Sequence, residues 1–490
     1  MIQSIIARIR ALPRRGRFAV FLAITCVIAA LASAAYWVIM VRPPDTKPLA
    51  IGIVAPFSGP DAHLGATMRA GAEGWLRSVD GRVGKHRLEL RSFDIAARPD
   101  ALRAAEADAD VIAVIEAPDL AGGAEAQGPA IPRLRLAADG GTTDEWTFSL
   151  SASPDQEARF LANYVRNVVG EKLISIILPD TAEDAAMAEE FDATLRRFGT
   201  RVVYRWAVPP DGEARRAGLK DAAEEIAARQ VAGALLILGN PDLAAEAVAV
   251  MAEAKVSNRI IGLRPMATTR FRDRLRAVWT APGSPSAMLN NTLITTPLLF
   301  DTSSVEAQAF RSVFEATHRV TPDWRAMLAH DGALAIGQAL AAADRRAPAA
   351  IGDPRAAIRQ GMRQWRSPET AIAGLAGPIF FDGSNNPLPT LVGVYNGDSL
   401  IAAPVQLTPI RDQGVSDYLE QLRAGRMLYV NDRFMYRTNL ATVGIRLNKA
   451  TNLNHGARTV DLEFVVWFRW RGDSVPSDIV FDNAVTPIRL

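Results

Sequence analysis

Residues 51–75 read IGIVAPFSGPDAHLGATMRAGAEGW. The stretch falls into four parts: an apolar run, the turn cluster Ser58-Gly59-Pro60, a glycine at Gly65, and a helical segment. A strand that passes through a turn into a helix is the opening of a βα unit, and the same alternation recurs downstream. The runs LAIGIVAPF, HRLELRSF, VIAVIEA, LISIILPD, RVVYRWAV, GALLILGN, RIIGLR and NTLITTPLL are separated by helical stretches, as buried parallel strands with covering helices are. The class is therefore α/β.

The helix signals agree. In GNPDLAAEAVAVMAEAK, Asn240 caps, Pro241 suits the first turn, Asp242 complements the positive helix end, and Leu243, Ala247, Val250, Met251 and Ala254 form one apolar stripe. In SPDQEARFLANYVRNVVGEK, Ser153 and Pro154 open a helix that carries Phe160, Leu161, Tyr164, Val165 and Val168 at helical spacing and closes at Gly170. Both are read as packing helices.

Residues 18–41, FAVFLAITCVIAALASAAYWVIMV, carry no charge and exceed the roughly 20 apolar residues a membrane helix needs. Arg8, Arg10, Arg14, Arg15 and Arg17 precede them, which keeps residues 1–17 in the cytoplasm and exports the bulk of the chain. Ala32-Ser33-Ala34 has the form of a signal-peptidase site, but the apolar run continues to Val41, so an uncleaved single-pass anchor is expected. Cys26 is the single cysteine and lies inside that run, so no internal disulfide is expected.

The 55 basic and 53 acidic residues give a net charge of +2 and no basic cluster outside the first 17 residues, which argues against a nucleic-acid partner. The five histidines show no metal-binding spacing, and neither a nucleophile elbow nor a phosphate or dinucleotide loop is found. No metal, cofactor or enzymatic activity is expected. FDGSNNP, residues 381–387, lacks the alternating carboxylates of a calcium loop and reads as a turn between strands.

The order IGIVAPFSGPDAHLGATMRAGAEGW, ISIILPDTAEDAAMAEEFDATLRRFG and GPIFFDGSNNPLPTLVGVYNGDSLI resembles type I periplasmic solute-binding proteins, specifically the Leu/Ile/Val-binding family of ABC importers. The resemblance spans about 48–407. It implies two lobes (48–150 with 295–376, and 152–293 with 377–407), each a parallel sheet with helices on both faces, that close by a hinge on a small solute. It also implies an ABC permease as partner.

Carried over residue by residue, the resemblance places the ligand groups at Ser58 of the turn, at Leu64 where the family has an aromatic before the glycine, and at Glu116 and Asp119 where serines are expected. Thr142 and Thr143 keep the expected hydroxyls. Asp184 with Ala185 stands where a Tyr-Gly pair is usual, and Arg264 replaces the acid that meets a solute ammonium. A zwitterionic amino acid would meet the wrong groups, and a carboxylate buried against Glu116 or Asp119 without a cation would cost several kcal/mol per ion. The expected ligand is an amino acid or another small polar metabolite held by altered groups, with Arg264 facing an acidic one.

The remainder changes character. Residues 411–425 read as a helical linker and 426–490 as all-β. In VDLEFVVWFRW, Val460, Leu462, Phe464, Val466, Phe468 and Trp470 share one face of a strand. With TNLATVGIRLNKAT and DIVFDNAVTPIRL, it resembles the start of the extracellular β-sandwich of prokaryotic pentameric ligand-gated channel homologues. That resemblance implies an incomplete sandwich, a fragment of a longer chain, and channel subunits as an alternative partner.

Overall fold

The computed structural model describes residues 47–118, 130–138, 144–210, 212–229, 231–346, 353–383, 390–410 and 417–470, together with residue 484. The apolar run 18–41, the turn 384–387 and, apart from residue 484, the strand expected at 478–490 lie outside them. Among the described residues, no helix is long and apolar enough to cross a membrane.

The first lobe is built on β1 (Leu49–Ala55), β2 (Arg82–Val83), β3 (His86–Asp94), β4 (Val111–Glu116), β5 (Arg133–Arg135) and β6 (Thr147–Ser149). Their order in the sheet is β2-β3-β1-β4-β5-β6, parallel except for the edge strand β2. Period two sends alternate side chains of β1 to opposite faces. Ile51, Ile53 and Ala55 enter one core with α1 (Ala62–Ser78), α9 (Val305–His318), α10 (Trp324–Arg346) and α11 (Pro354–Met362), while Ala50 and Val54 pack toward α2 (Ala101–Ala107). Each such isoleucine contributes roughly 1.5–3 kcal/mol on burial.

The second lobe holds β7 (Ile174–Pro179), β8 (Val202–Val208), β9 (Ala234–Ile237), β10 (Ile260–Gly262), β11 (Leu293–Thr296), β14 (Leu391–Asn396) and β15 (Ser399–Ala402). The order is β15-β14-β11-β10-β9-β7-β8, in which β14 alone runs against the others and so pairs antiparallel with both β11 and β15. One face is covered by α5 (Gly212–Ala228), α6 (Pro241–Glu253), α7 (Thr269–Val278) and α8 (Pro285–Leu289), the other by α3 (Pro154–Tyr164) and α4 (Ala182–Arg196). Local chemistry sets these helices. Ser153 and Gln156 form a capping box on α3, and Asn240 accepts from Leu243 N at 2.9 Å. Past α3 the chain widens into one π turn over Val165–Val169 and ends at Gly170, whose φ of 85° lies in the left-handed region.

Three chain crossings join the lobes: β6 to α3, β11 to α9, and β13 (Pro378–Ile379), which pairs with β12 (Ile372–Ala373), to β14. Beyond them, β16 (Val405–Pro409) pairs with β18 (Arg433–Asn439), which pairs with β17 (Met427–Val430) after a short helix α12 (Tyr418–Arg423). This three-stranded sheet packs Leu407, Val430 and Met435 on Phe160 and Tyr164 of α3, and Tyr164 Oη donates to Val405 O at 2.7 Å. It straddles the boundary expected at 426, because the partner that satisfies β18 lies on the lobe side of it. Last come β19 (Thr442–Asn454) and β20 (Thr459–Arg469), a two-stranded antiparallel ribbon. Phe464, Val466 and Phe468 face Leu447, Ile445 and Val443 across it.

Candidate functional site

In an open α/β sheet, ligands bind beyond the carboxyl ends of the strands. At the end of β1, Gly65 N donates to Pro56 O at 3.1 Å, and a Cβ at 65 would stand 2.4 Å from that oxygen, so the tight return into α1 needs glycine. Ser58 is exposed, and its hydroxyl, with the Phe57 N–H, holds the Asp94 carboxyl below its ordinary range. Leu64 is half-buried against the first-lobe core.

Glu116, at the end of β4, is buried, but it has cations beside it. Arg133 Nε donates to Oε1 at 2.6 Å and Arg135 Nε to Oε2 at 3.0 Å. The parallel register β4·β5 places Glu116 opposite Arg135. Burial works against the Arg133 charge and Glu116 outweighs it, so the guanidinium is held above its ordinary range. The strand after it thus supplies two cations to Glu116, a pairing that reading along the chain did not indicate. Asp119, Thr142 and Thr143 lie outside the described residues. Asp184 sits in the first turn of α4, where Thr181 Oγ1 donates to its carboxylate at 2.6 Å and accepts from its backbone N–H at 3.1 Å.

Arg264 follows β10 and is buried where the three crossings meet. Its Nε lies 2.9 Å from Glu157 Oε2, its Nη1 donates to Ala152 O at 3.1 Å, and its backbone N–H donates to Glu157 Oε1 at 3.0 Å. Thr295 Oγ1 donates to the same oxygen at 2.5 Å, and Trp324 Nε1 donates to Arg264 O at 3.2 Å. The gap bounded by Ser151, Glu157, Arg264, Thr296 and Thr390 is about 10 Å³, room for a single water and too small for a metabolite.

A second cluster spans the lobes. Asp242, at the start of α6, receives Arg270 Nε and Nη2, both at 2.7 Å. Burial works to raise the Asp242 carboxyl, but Arg270 and then Arg274 outweigh it and hold it below the usual range. Facing it from the start of α1 in the other lobe are Asp61, at the N-cap, whose charge supports Arg270, and His63, in the first turn, whose imidazole is pushed below its ordinary value by burial, Arg325 and Arg270. Thr269 Oγ1 donates to Thr321 O at 3.1 Å across the same seam. Sequence reasoning passed over His63 as an isolated histidine and took Asp242 for a helix-end charge. Their signal is positional, since each lies just past the carboxyl end of a strand. Among the described residues, no group of three His, Cys, Asp or Glu side chains is placed to hold a metal ion.

Two layered α/β lobes, three crossings and a seam lined from the carboxyl ends of both sheets define the two-lobed architecture of a binding protein. The family model described as periplasmic binding protein matches residues 48–398, and the chain belongs to that family. Among solved structures, it is similar to the branched-chain amino acid transporter substrate-binding protein LivJ of Streptococcus pneumoniae in complex with isoleucine, at 15% identity and TM-score 0.57, covering 73% of this chain and 98% of that one. A solute-binding protein of an ABC transporter from R. palustris, in complex with benzoate, is 17% identical with TM-score 0.58 and coverages of 76% and 100%. An ABC transporter substrate-binding protein of Desulfitobacterium hafniense in complex with Leu gives 17%, 0.55, 73% and 100%. At these identities the likeness shows the fold. No curated protein matches the chain.

Proposed function

We propose that this chain is an extracytoplasmic solute receptor, anchored by residues 18–41, whose lobes close on a small solute bearing an acidic group and pass it to an ABC permease. The observation that carries this reading is the convergence of Asp61, His63 and Arg325 from one lobe with Asp242 and Arg270 from the other at the carboxyl ends of the strands. Arg325 is buried and Arg270 half-buried, and guanidinium groups suit bidentate recognition of a carboxylate. The ligands named for the similar structures, isoleucine, leucine and benzoate, all carry one.

In this reading Ser58, Leu64 and Asp184 form the rim, and Asp119, Thr142 and Thr143 keep the ligand role the resemblance implies. Glu116 and Arg264 act behind it, each already engaged by its own ion partners. A thermal-shift screen of small carboxylic acids against the matching amines and amides, followed by small-angle scattering, tests it. The expected result is stabilisation by an acid with a smaller radius of gyration, and a loss of at least tenfold in affinity for Arg270→Ala. Stabilisation by amines alone, or by no solute, would overturn the assignment. Leucine or isoleucine acting most strongly would overturn the altered specificity.

A further inference from the structure

The first lobe carries a second concavity, on the side of α1 and α10 away from the seam. Its volume is about 470 Å³, within the range of small-molecule sites. Trp75, Val83, Leu334, Ala341 and Leu375 supply apolar walls, and the helices approach closely because residue 337 is glycine: a Cβ there would stand 2.3 Å from the Trp75 ring. Its one deeply set titratable group is His330, which is 9% exposed.

The surroundings fix this imidazole. Its ring stands edge-on to Phe310 with centroids 5.1 Å apart, and Nδ1 lies 3.2 Å from Asp331 Oδ1. The Asp331 carboxylate is itself held by the Leu375 and Ala376 N–H groups, at 2.8 and 2.9 Å, so it accepts and Nδ1 carries the proton. With the proton on Nδ1, the imidazole form of the ring presents Nε2 as an acceptor. The rim adds Arg82 and Glu306, of opposite sign, which leaves the mouth without a preference for a charged ligand.

The geometry points to a second binding site in this cavity, independent of the interlobe seam, for an uncharged aromatic molecule whose phenol-type hydroxyl donates to His330 Nε2. The hydrocarbon body fills the space between Trp75 and Leu334, and the hydroxyl gives the imidazole a directed partner that fixes the orientation of the ring.

The test uses the full chain in lipid nanodiscs, with empty nanodiscs as reference, and compares 4-hydroxybenzyl alcohol with benzyl alcohol by ligand-observed NMR titration. Saturable binding of the phenol is expected, weakened at least tenfold by Ala341→Phe, which fills the cavity, and at least fivefold by His330→Phe. Benzyl alcohol should be indifferent to His330→Phe. Should Ala341→Phe fail to fold, Gln338→Trp at the cavity edge serves in its place. Hydrogen exchange on the wild type gives a second readout: the phenol should slow exchange over 334–341 and leave 241–270 unaffected. Non-saturable binding, binding untouched by the filling variant, or protection confined to 56–65 and 241–270 would each overturn the site.

Discussion

Arg264 shows how a single side chain changes meaning with its surroundings. Read along the chain, it is a cation placed where the family has an acid. In the fold it is half of an ion pair, with side-chain exposures of 7% for Arg264 and 4% for Glu157, in a gap with no room for a solute. Breaking a buried pair leaves the remaining charge uncompensated, which costs about 3–5 kcal/mol, whereas replacing both partners with apolar groups is often neutral. Arg264→Met should therefore lower the urea unfolding free energy by about that amount, and Arg264→Met with Glu157→Leu should recover most of it. A single variant costing under about 1 kcal/mol would remove the structural role. His63 offers a pH readout. Its imidazole is depressed in the folded chain, so the unfolded chain binds more protons around the ordinary value of 6.5. Stability contributed here is present above that value and is lost as pH falls through it toward the depressed folded value. His63→Gln should flatten the urea midpoint between about pH 5 and 7, and an unchanged slope would show that His63 is not the group responsible.

At the scale of elements, the crossing of α1 and α10 depends on a missing side chain. A Cβ at Gly71 would lie 1.9 Å from Ala326 O, a backbone atom that cannot swing aside. Gly71→Val should cost roughly 1–3 kcal/mol or more through forced separation of the helices, read as a lower urea midpoint, while Gly59→Ala, in open space at φ 72°, should carry only the roughly 1 kcal/mol backbone cost of the left-handed region. The strands and caps were legible because their causes are local: Ile51, Ile53 and their neighbours are apolar without interruption, and Ser153 and Asn240 cap through groups three residues away. The sheet β16-β18-β17 was not. Its pairing of Leu407 with Arg437 is non-local, and the short, mixed sequence of β17 carries no period that would join it to a lobe. The ribbon β19·β20 repeats the lesson from the other side. Its alternation is strong in sequence, yet Ile445 is 64% and Trp467 51% exposed, because periodicity specifies a face and says nothing of what covers it. The candidate site was legible only as a set of loops. The partners of Glu116 and Arg264 lie 17 and 107 residues away along the chain, beyond what spacing can indicate.

On the scale of the whole molecule, the lobes have separate cores, and what joins them among the described residues is small: three crossings, the Trp324 indole on Arg264 O and the seam around Asp242 and His63. Separate cores linked by few contacts are the condition under which one all-or-none transition breaks down. Calorimetry of the solute-free chain should give a calorimetric enthalpy larger than the van't Hoff value, since each lobe can melt without wholly exposing the other. A solute bound across the seam favours the state in which both lobes are folded and closed, and stabilises it by RT ln(1 + [L]/Kd), about 2.7 kcal/mol at one hundred times Kd. That energy belongs to the pair of lobes together, so at saturating solute the two enthalpies should converge and the transition sharpen. A solute that raises the midpoint of one component alone would instead be binding within a lobe, as the aromatic site on α10 would, so the shape of the transition, beyond its midpoint, reports which of the two cavities is filled.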